Sequence, residues 1–404
     1  MIWQIAWRNV WRNKKRSAVI LIAVAFGLWA GLLTSALTYG MTDQMVKSAI
    51  SLWISHIQIH AAGFRAHREI GKFLPNGDAI LNDIRRLPDV RAAAARSVVT
   101  GMASSATAGY GVQIMGVDPQ AEQAVSDVHR QIVKGSYFGG NLRNPVIIGQ
   151  SLADRLHVST GDKIVLTAQA MDGSIAAGAF RVVGIFKTVS SQFDRSTIFA
   201  LHQDVDATFG LNGAVHEIAV MASSSGEIER LDSKLKNLYP NLDVATWREV
   251  EPAIGVMATM TDEWILIFLI IILLALVFGI TNTMLMGVLE RVRELGVLAA
   301  LGMNHARIFA MILLETIFLA VLGGGIGTVF GVGTIAVLGK TGLKLSMVQA
   351  GLEAFGASST LYPYLPAGEY LWIAALVVLT ALASSIYPGL RAVRLNPVAA
   401  IRTY

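Results

Sequence analysis

The sequence predicts an α-helical membrane protein with four transmembrane helices and an α+β extracytoplasmic domain inserted between helices 1 and 2. Three observations carry this. Of 404 residues, 53% are hydrophobic and only 15% charged, against about 25% charged in an average soluble domain. Four stretches, 17–42, 264–289, 316–339 and 370–390, contain no charged side chain, and each reaches the roughly 20 residues that cross a bilayer core. Between the first two lies a long segment of mixed strand and helix pattern, sufficient to bury a core of its own.

Taken in order, residues 1–16 open the chain. Trp3, Trp7, Val10 and Trp11 fall on one helical face and Arg8 and Arg12 on another, the pattern of a short amphipathic helix lying at the membrane interface. The apolar run 17–42 outlasts the about 7–15 residues of a signal-peptide core, so it is expected to stay as transmembrane helix 1. In segment 43–263, the apolar runs at 56–61, 111–117, 162–168, 180–186 and 216–222 read as strands. Residues 78–87, 150–158 and 226–239 have helical spacing. The first and last portions are expected to form one α/β unit around a strand-rich insert at about 119–215. Transmembrane helix 2 follows at 264–289, then a charged connection at 290–307, helix 3 at 308–339, a loop at 340–369, helix 4 at 370–390 and a tail at 391–404.

Charge sets the orientation. Segments 1–16, 290–307 and 391–404 together carry eleven basic side chains and two acidic ones, which leaves −4 for the rest of a +5 chain. Basic connections stay on the cytosolic side, so both termini and 290–307 are expected to be cytosolic, and 43–263 and 340–369 to face outward. The basic balance then reflects membrane topology, and no nucleic-acid partner is inferred from it.

Little in the chain suggests catalysis or metal binding. The absence of cysteine removes disulfides, thiol catalysis and Cys-based metal sites. "GVGTIAVLGKTG" at 331–342 nearly matches a phosphate-binding loop, but Thr334 stands where the pattern needs glycine, and the stretch closes a membrane helix. His56 and His60, on one face of a strand, would lie about 13–14 Å apart, too far for one zinc with ligands at about 2 Å. No G-x-S-x-G elbow occurs, and Asp118, Asp162 and Asp194 read as turn residues. No catalytic residue and no metal site is expected.

Small residues recur every four positions in the membrane helices. They are Ala23, Gly27 and Gly31 in helix 1, Gly279, Thr283 and Gly287 in helix 2, and Gly323, Gly327 and Gly331 in helix 3. Such faces let helix backbones approach closely, either within the chain or between two copies. Glu315, an acid inside the third apolar stretch, is expected to pair with Arg307 or with an arginine of a neighbouring helix.

The stretch "LERVRELGVLAALGMN" at 289–304 follows helix 2 directly. As a helix it places Glu290, Arg293 and Glu294 on one side and Val288, Leu295 and Leu298 on an apolar side. Gly302 would end it before the next helix begins near His305. A short amphipathic helix at the interface, seated in a groove of another protein, accounts for both its length and its apolar face.

This stretch, together with "WRNVWRNKKRSAVI" ahead of helix 1 and "YPGLRAVRLNPVAAIR" at the end, resembles the FtsX-like permeases of ABC transporters. "GVDPQAE" (116–122), "VIIGQSLADRLHVSTGDKIVL" (146–166) and "FRVVGIF" (180–186) extend the likeness, nearest to the lipoprotein-releasing branch and more distantly to macrolide exporters. The resemblance implies a bacterial inner-membrane permease subunit with a periplasmic domain and without enzymatic activity of its own. ATP and Mg would be bound by a separate cytosolic ABC ATPase dimer. It implies docking of that ATPase on a coupling helix through Glu290, Arg291, Arg293, Glu294, Leu298 and Gly302, and pairing with a second copy or a homologous permease. ATP-driven movement would then be relayed to the periplasmic domains, which act on lipoproteins or other amphiphiles at the membrane.

A periplasmic chaperone or an adaptor protein is a further implied partner. Where the chaperone-docking member of that branch carries an extended hook, this chain has the short, proline-free "QAMDGSIAAGAF" at 169–180, expected to be a plain hairpin on Asp172-Gly173. The alternatives within and beyond transport are an efflux permease for drugs or peptides and a transmembrane regulator of a cell-wall hydrolase.

Overall fold

The computed structural model describes residues 2–139, 142–354 and 356–394. The end of the tail, with Arg402, lies outside them. The chain forms two compact units, one of Met1–Thr42, Met260–Lys344 and Thr360–Tyr404, the other of Asp43–Thr259 and Leu345–Ser359.

The first unit is helical. An N-terminal helix, Ile2–Arg12, is followed, among the described residues, by four helices long and apolar enough to cross a membrane. These are Lys14–Ala49, whose residues to Thr42 belong to this unit, Thr261–Glu290, His305–Thr341 and Ala367–Val393. A connecting helix, Val292–Ala300, joins the second and third. Ile20, Val24, Leu28 and Leu32 form a row at four-residue spacing and are almost fully buried. They meet Leu269, Leu276 and Ile280 of the second span, Leu319 of the third, and Ile373 and Val377 of the fourth in one apolar core. Because lipid supplies no hydrophobic drive between helices, close packing and buried hydrogen bonds must hold them. Trp29 Nε1 donates to Thr334 Oγ1 at 3.1 Å, and Thr281 Oγ1 to the carbonyl of Ser384 at 3.1 Å.

Glycine sets the closest approach. A Cβ added at Gly327 would lie 2.6 Å from the carbonyl oxygen of Ala25, and one at Gly323 2.9 Å from that of Leu21. Gly331 faces Leu32, Gly27 faces Leu276, and Gly31 faces Leu269 and Ile373. Ala23 packs against the same core. Gly279 has nothing within 4 Å. The small-residue faces of the first and third spans are therefore spent on packing within the chain.

The second unit is a ten-stranded sheet with helices on it. Its strands are β1 Ile57–Ala61, β2 Val90–Ser104, β3 Gly109–Val117, β4 Ile132–Gly135, β5 Pro145–Gly149, β6 Lys163–Gln169, β7 Ile175–Phe186, β8 Thr197–Leu201, β9 Glu217–Ala222 and β10 Leu242–Thr246. Their order is β10-β1-β9-β2-β3-β8-β5-β7-β4, and β6 pairs with both β2 and β7. β6 thereby closes a ring of six strands, β2-β3-β8-β5-β7-β6. Inside β6, Ile164, Leu166 and Ala168 turn inward while Lys163 and Val165 stay exposed, the two-residue alternation of a half-buried strand.

β2 belongs to both parts of the unit. Its first half pairs with β9 (Val90–Arg96 against Glu217–Ala222), and its second half leaves β9 for β6 (Gly101–Ser104 against Val165–Ala168). Gly101 marks the switch, where a Cβ would fall 2.5 Å from the carbonyl of Thr167. The ring core takes Val99, Ala103, Val112 and Ile114 from β2 and β3. The strand that starts the α/β sheet thus finishes as a wall of the ring, ahead of the insert expected at about 119–215. The segment expected as a loop at 340–369 divides as well. Leu343–Lys344 pairs with Thr360–Leu361 in the helical unit, while 345–359 packs with the α/β unit, where Glu353 lies 4.0 Å from Lys187.

Local chemistry fixes the turns. Asp118 caps the helix Pro119–Val125, accepting from the backbone N–H of Gln120 and Ala121 at 2.9 Å. The β6–β7 hairpin turns on Asp172 and Gly173, with Gly173 at φ +85° and Asp172 accepting from Ser174. Asp194 is different from a surface turn residue. It is buried, takes Thr188 N–H and Oγ1–H, and desolvation pushes its carboxyl up to about 6.

Candidate functional site

The connecting helix Val292–Ala300 is short because its two ends are chemically marked. Arg291 separates it from the second span. Gly302, at φ +89°, closes it, with the N–H of Gly302 bonding the Ala299 carbonyl and that of Met303 the Leu298 carbonyl, each at 3.0 Å. Asn304 then caps the third span through the N–H of Ala306 at 3.2 Å. Leu295 is buried and Leu298 half-buried against the helical core. Glu290, Arg293, Val297 and Leu301 lie on the exposed side, Leu301 at 79% and Val297 at 43%.

A chain of ion pairs anchors this helix. Glu315 of the third span, 3% exposed, receives Arg291 Nη1 at 2.9 Å and Arg16 Nη2 at 3.5 Å. Arg291 Nε also bonds Glu294 at 3.1 Å, and Glu294 pairs with Arg12 of the N-terminal helix. Burial pulls the Glu294 carboxyl upward, but the hydrogen bonds from Arg12 and Arg291 outweigh it and hold it below the ordinary carboxylate value. Gly287 lies directly beneath the Arg16 guanidinium, which a side chain there would displace. One acid inside a span is stabilised by two arginines because an unpaired carboxylate in hydrocarbon is prohibitively costly.

The structure therefore separates the residues expected to act together. Glu290 and Arg293 are exposed and make no ion pair among the described residues. Arg291 turns inward, with its side chain 14% exposed, and Leu298 faces the core, so neither is presented to a partner. Glu294 is shared between the exposed face and Arg12. Glu315 meets Arg291 and Arg16 instead of Arg307. The sequence places Arg12 on the polar face of the N-terminal helix and Arg16 among the basic side chains of 1–16 without naming a partner for either, and the acid at 315 is the signal that an arginine of a neighbouring helix must reach it.

No group of three or more metal-ligating side chains occurs among the described residues. His60 Nδ1 contacts the His216 carbonyl and Nε2 the Gln58 Oε1, each at 3.1 Å, and His56 Nδ1 accepts from the N–H of Ala222. Residues 331–341 are helix throughout, and Thr334 is the acceptor for Trp29.

Comparison with known proteins gives two family matches. Residues 17–238 match the MacB-like periplasmic core domain, and residues 266–397 match the FtsX-like permease C-terminal domain. The chain is 27% identical to an uncharacterised ABC transporter permease of Methanocaldococcus jannaschii over 54% of both chains. It is 24% identical to the lipoprotein-releasing system transmembrane protein LolC of Neisseria meningitidis, over 83% of this chain and 84% of that one. It is 28% identical to the macrolide export ATP-binding/permease protein MacB of Syntrophobacter fumaroxidans, over 49% of this chain and 24% of that one.

Proposed function

Because the chain belongs to the FtsX-like ABC transporter permeases, we propose that it is the permease subunit through which a separate ATPase dimer moves the α/β unit. The observation that carries this is the connecting helix Val292–Ala300. One face is fixed by Leu295 and the Arg291–Glu315 pair, and the other offers Val297 and Leu301 flanked by Glu290 and Arg293. An apolar strip edged by charge is the form in which an amphipathic helix seats in a groove. Its rigid attachment to the second and third spans lets a push on the strip reach both helices. In this reading the termini and the connecting helix are cytosolic, the α/β unit is periplasmic, and two permeases stand on the ATPase dimer.

The cargo we infer is a lipoprotein or another amphiphile drawn from the outer leaflet of the inner membrane. Support comes from the extent of the LolC match, which covers most of both chains, whereas MacB matches over about half of this one. The short β6–β7 turn leaves chaperone docking to another chain.

Co-purification tests the coupling. The full chain should recover an ABC ATPase from its native membranes, and Val297→Asp with Leu301→Asp should abolish recovery while the purified permease keeps its melting temperature. Recovery unchanged by that pair of substitutions defeats the proposed surface.

A further inference from the structure

Two adjoining cavities open in the α/β unit, of about 470 and 400 Å³, and share Gln58, Arg68, Gln113, Glu217 and Val250 in their lining. The larger has an apolar wall that includes Trp53, Met115, Phe193 and Ile254. Methionine and aromatic walls adapt to varied apolar shapes.

Beneath the shared floor lies a buried trio. Arg96, fully buried, donates Nε and Nη2 to both oxygens of Glu122 at 2.9 and 2.7 Å, and Nη1 to Glu217 Oε1 at 2.6 Å. The trio sums to −1. Its one oxygen without a hydrogen bond among the described residues is Glu217 Oε2, on a residue only 5% exposed that lines both cavities.

Polar side chains of the two linings have hydrogen-bond or ion-pair partners of their own, and so has Lys236 beside Glu249. Gln58 Nε2 donates to Ile54 O at 2.9 Å while its Oε1 meets His60. Arg65 is held by Asp243 at 2.6 Å, and Arg68 by Gln113 on the exposed rim. Lys236 reaches Glu249 but is shared with Asp232. Across the two linings the ionic side chains are Arg65 and Arg68 against Glu217, Asp243, Glu249 and Glu251, a balance of −2. A cavity lined by an apolar wall and by a carboxylate with one oxygen free of protein hydrogen bonds is complementary to an amine carried on an apolar body.

We propose that this cavity binds a small cationic amphiphile, with its protonated amine against Glu217 and its apolar body against Trp53, Met115, Phe193 and Ile254. Arg68, which also lines both cavities, is exposed and donates to Gln113. The site deepens the transport reading by naming a ligand class for the α/β unit, and its test does not involve the ATPase.

The full chain in phosphatidylcholine nanodiscs is titrated calorimetrically with octylamine, octanol and octanoate, with empty nanodiscs subtracted. Octylamine is expected to bind saturably and at least tenfold more tightly than the other two. Glu217→Gln should lose at least tenfold for the amine alone. Ala253→Trp, at an exposed lining position away from the buried trio, should block the cavity and lose as much, and it decides the outcome if Glu217→Gln fails to fold. Equal affinity for octanol, no saturable amine binding, or wild-type affinity in folded Ala253→Trp overturns the proposal. Those results leave ATPase recovery untouched, and a failure to recover an ATPase leaves this titration untouched.

Discussion

Glu315 and Arg291 are 24 positions apart in the chain and 2.9 Å apart in the structure, where they tie the third span to the start of the connecting helix. Arg16 approaches the same carboxylate from the first span, so one acid gathers three elements.

Removing that acid is expected to be costly. Glu315→Ala would leave Arg16, its side chain 11% exposed, without its anion and Arg291, 14% exposed, with Glu294 alone, a loss of about 3–5 kcal/mol. Arg12→Ala, which breaks a pair exposed at about half of each side chain, should cost under about 1 kcal/mol. Thermal unfolding in detergent compares the two, and a similar effect for both would contradict the anchoring role.

Spans one and three should tolerate no side chain at their crossing. Gly327→Val puts a Cβ against the backbone of Ala25, and overpacking of this kind costs about 1–3 kcal/mol. Gly333→Val, at a position with nothing within 4 Å, should cost under about 1 kcal/mol. The melting temperatures of the two variants check this, and so does the oligomeric state, which neither substitution should change if these glycines pack within one chain.

The α/β unit carries a pH dependence of definite sign. Asp194 has its carboxyl raised by burial to about 6 in the fold, above its ordinary value. The folded state therefore binds the proton more tightly than the unfolded one, and stability falls as pH rises from about 4 through about 6. Hydrogen exchange of residues 187–196 should speed up across that window and be flat in Asp194→Asn. Exchange that slows with rising pH, once corrected for intrinsic rates, reverses the sign and refutes the assignment.

Arg96→Met should unfold the α/β unit selectively. It would leave Glu122 and Glu217 buried without their cation, an expected loss of about 3–5 kcal/mol. Limited proteolysis should then cut within 43–259 before it cuts the helical unit, and uniform cleavage would count against it.

The sequence was legible where one periodicity ruled. The four spans, the turns at Asp172-Gly173 and Gly302, and strands such as Ile57–Ala61 and Glu217–Ala222 follow from local pattern alone. β2 did not, because "RAAAARS" lacks the β-branched and aromatic residues that mark strands; it is held by β9 along Val90–Arg96, and β3 joins only from Arg96 onward. The inward turn of Arg291 could not be read either. Arg291 and Arg293 look alike as charges, and only the position of Glu315 on another helix decides which one is buried. Residues 345–359 read as a loop because their packing against the α/β unit depends on residues far away in sequence, such as Lys187 and Ser190.

The sheet order β10-β1-β9 also governs when the α/β unit can be finished. β1 leaves the ribosome early, but both of its neighbours, Glu217–Ala222 and Leu242–Thr246, come from the far end of the segment. Pairings of such long sequence separation form slowly, since loop closure precedes any gain from contact. The six-stranded ring, whose strands all fall between Val90 and Leu201, can assemble while β1 still waits, so the nascent chain carries a finished ring on an open sheet edge until its last strand arrives.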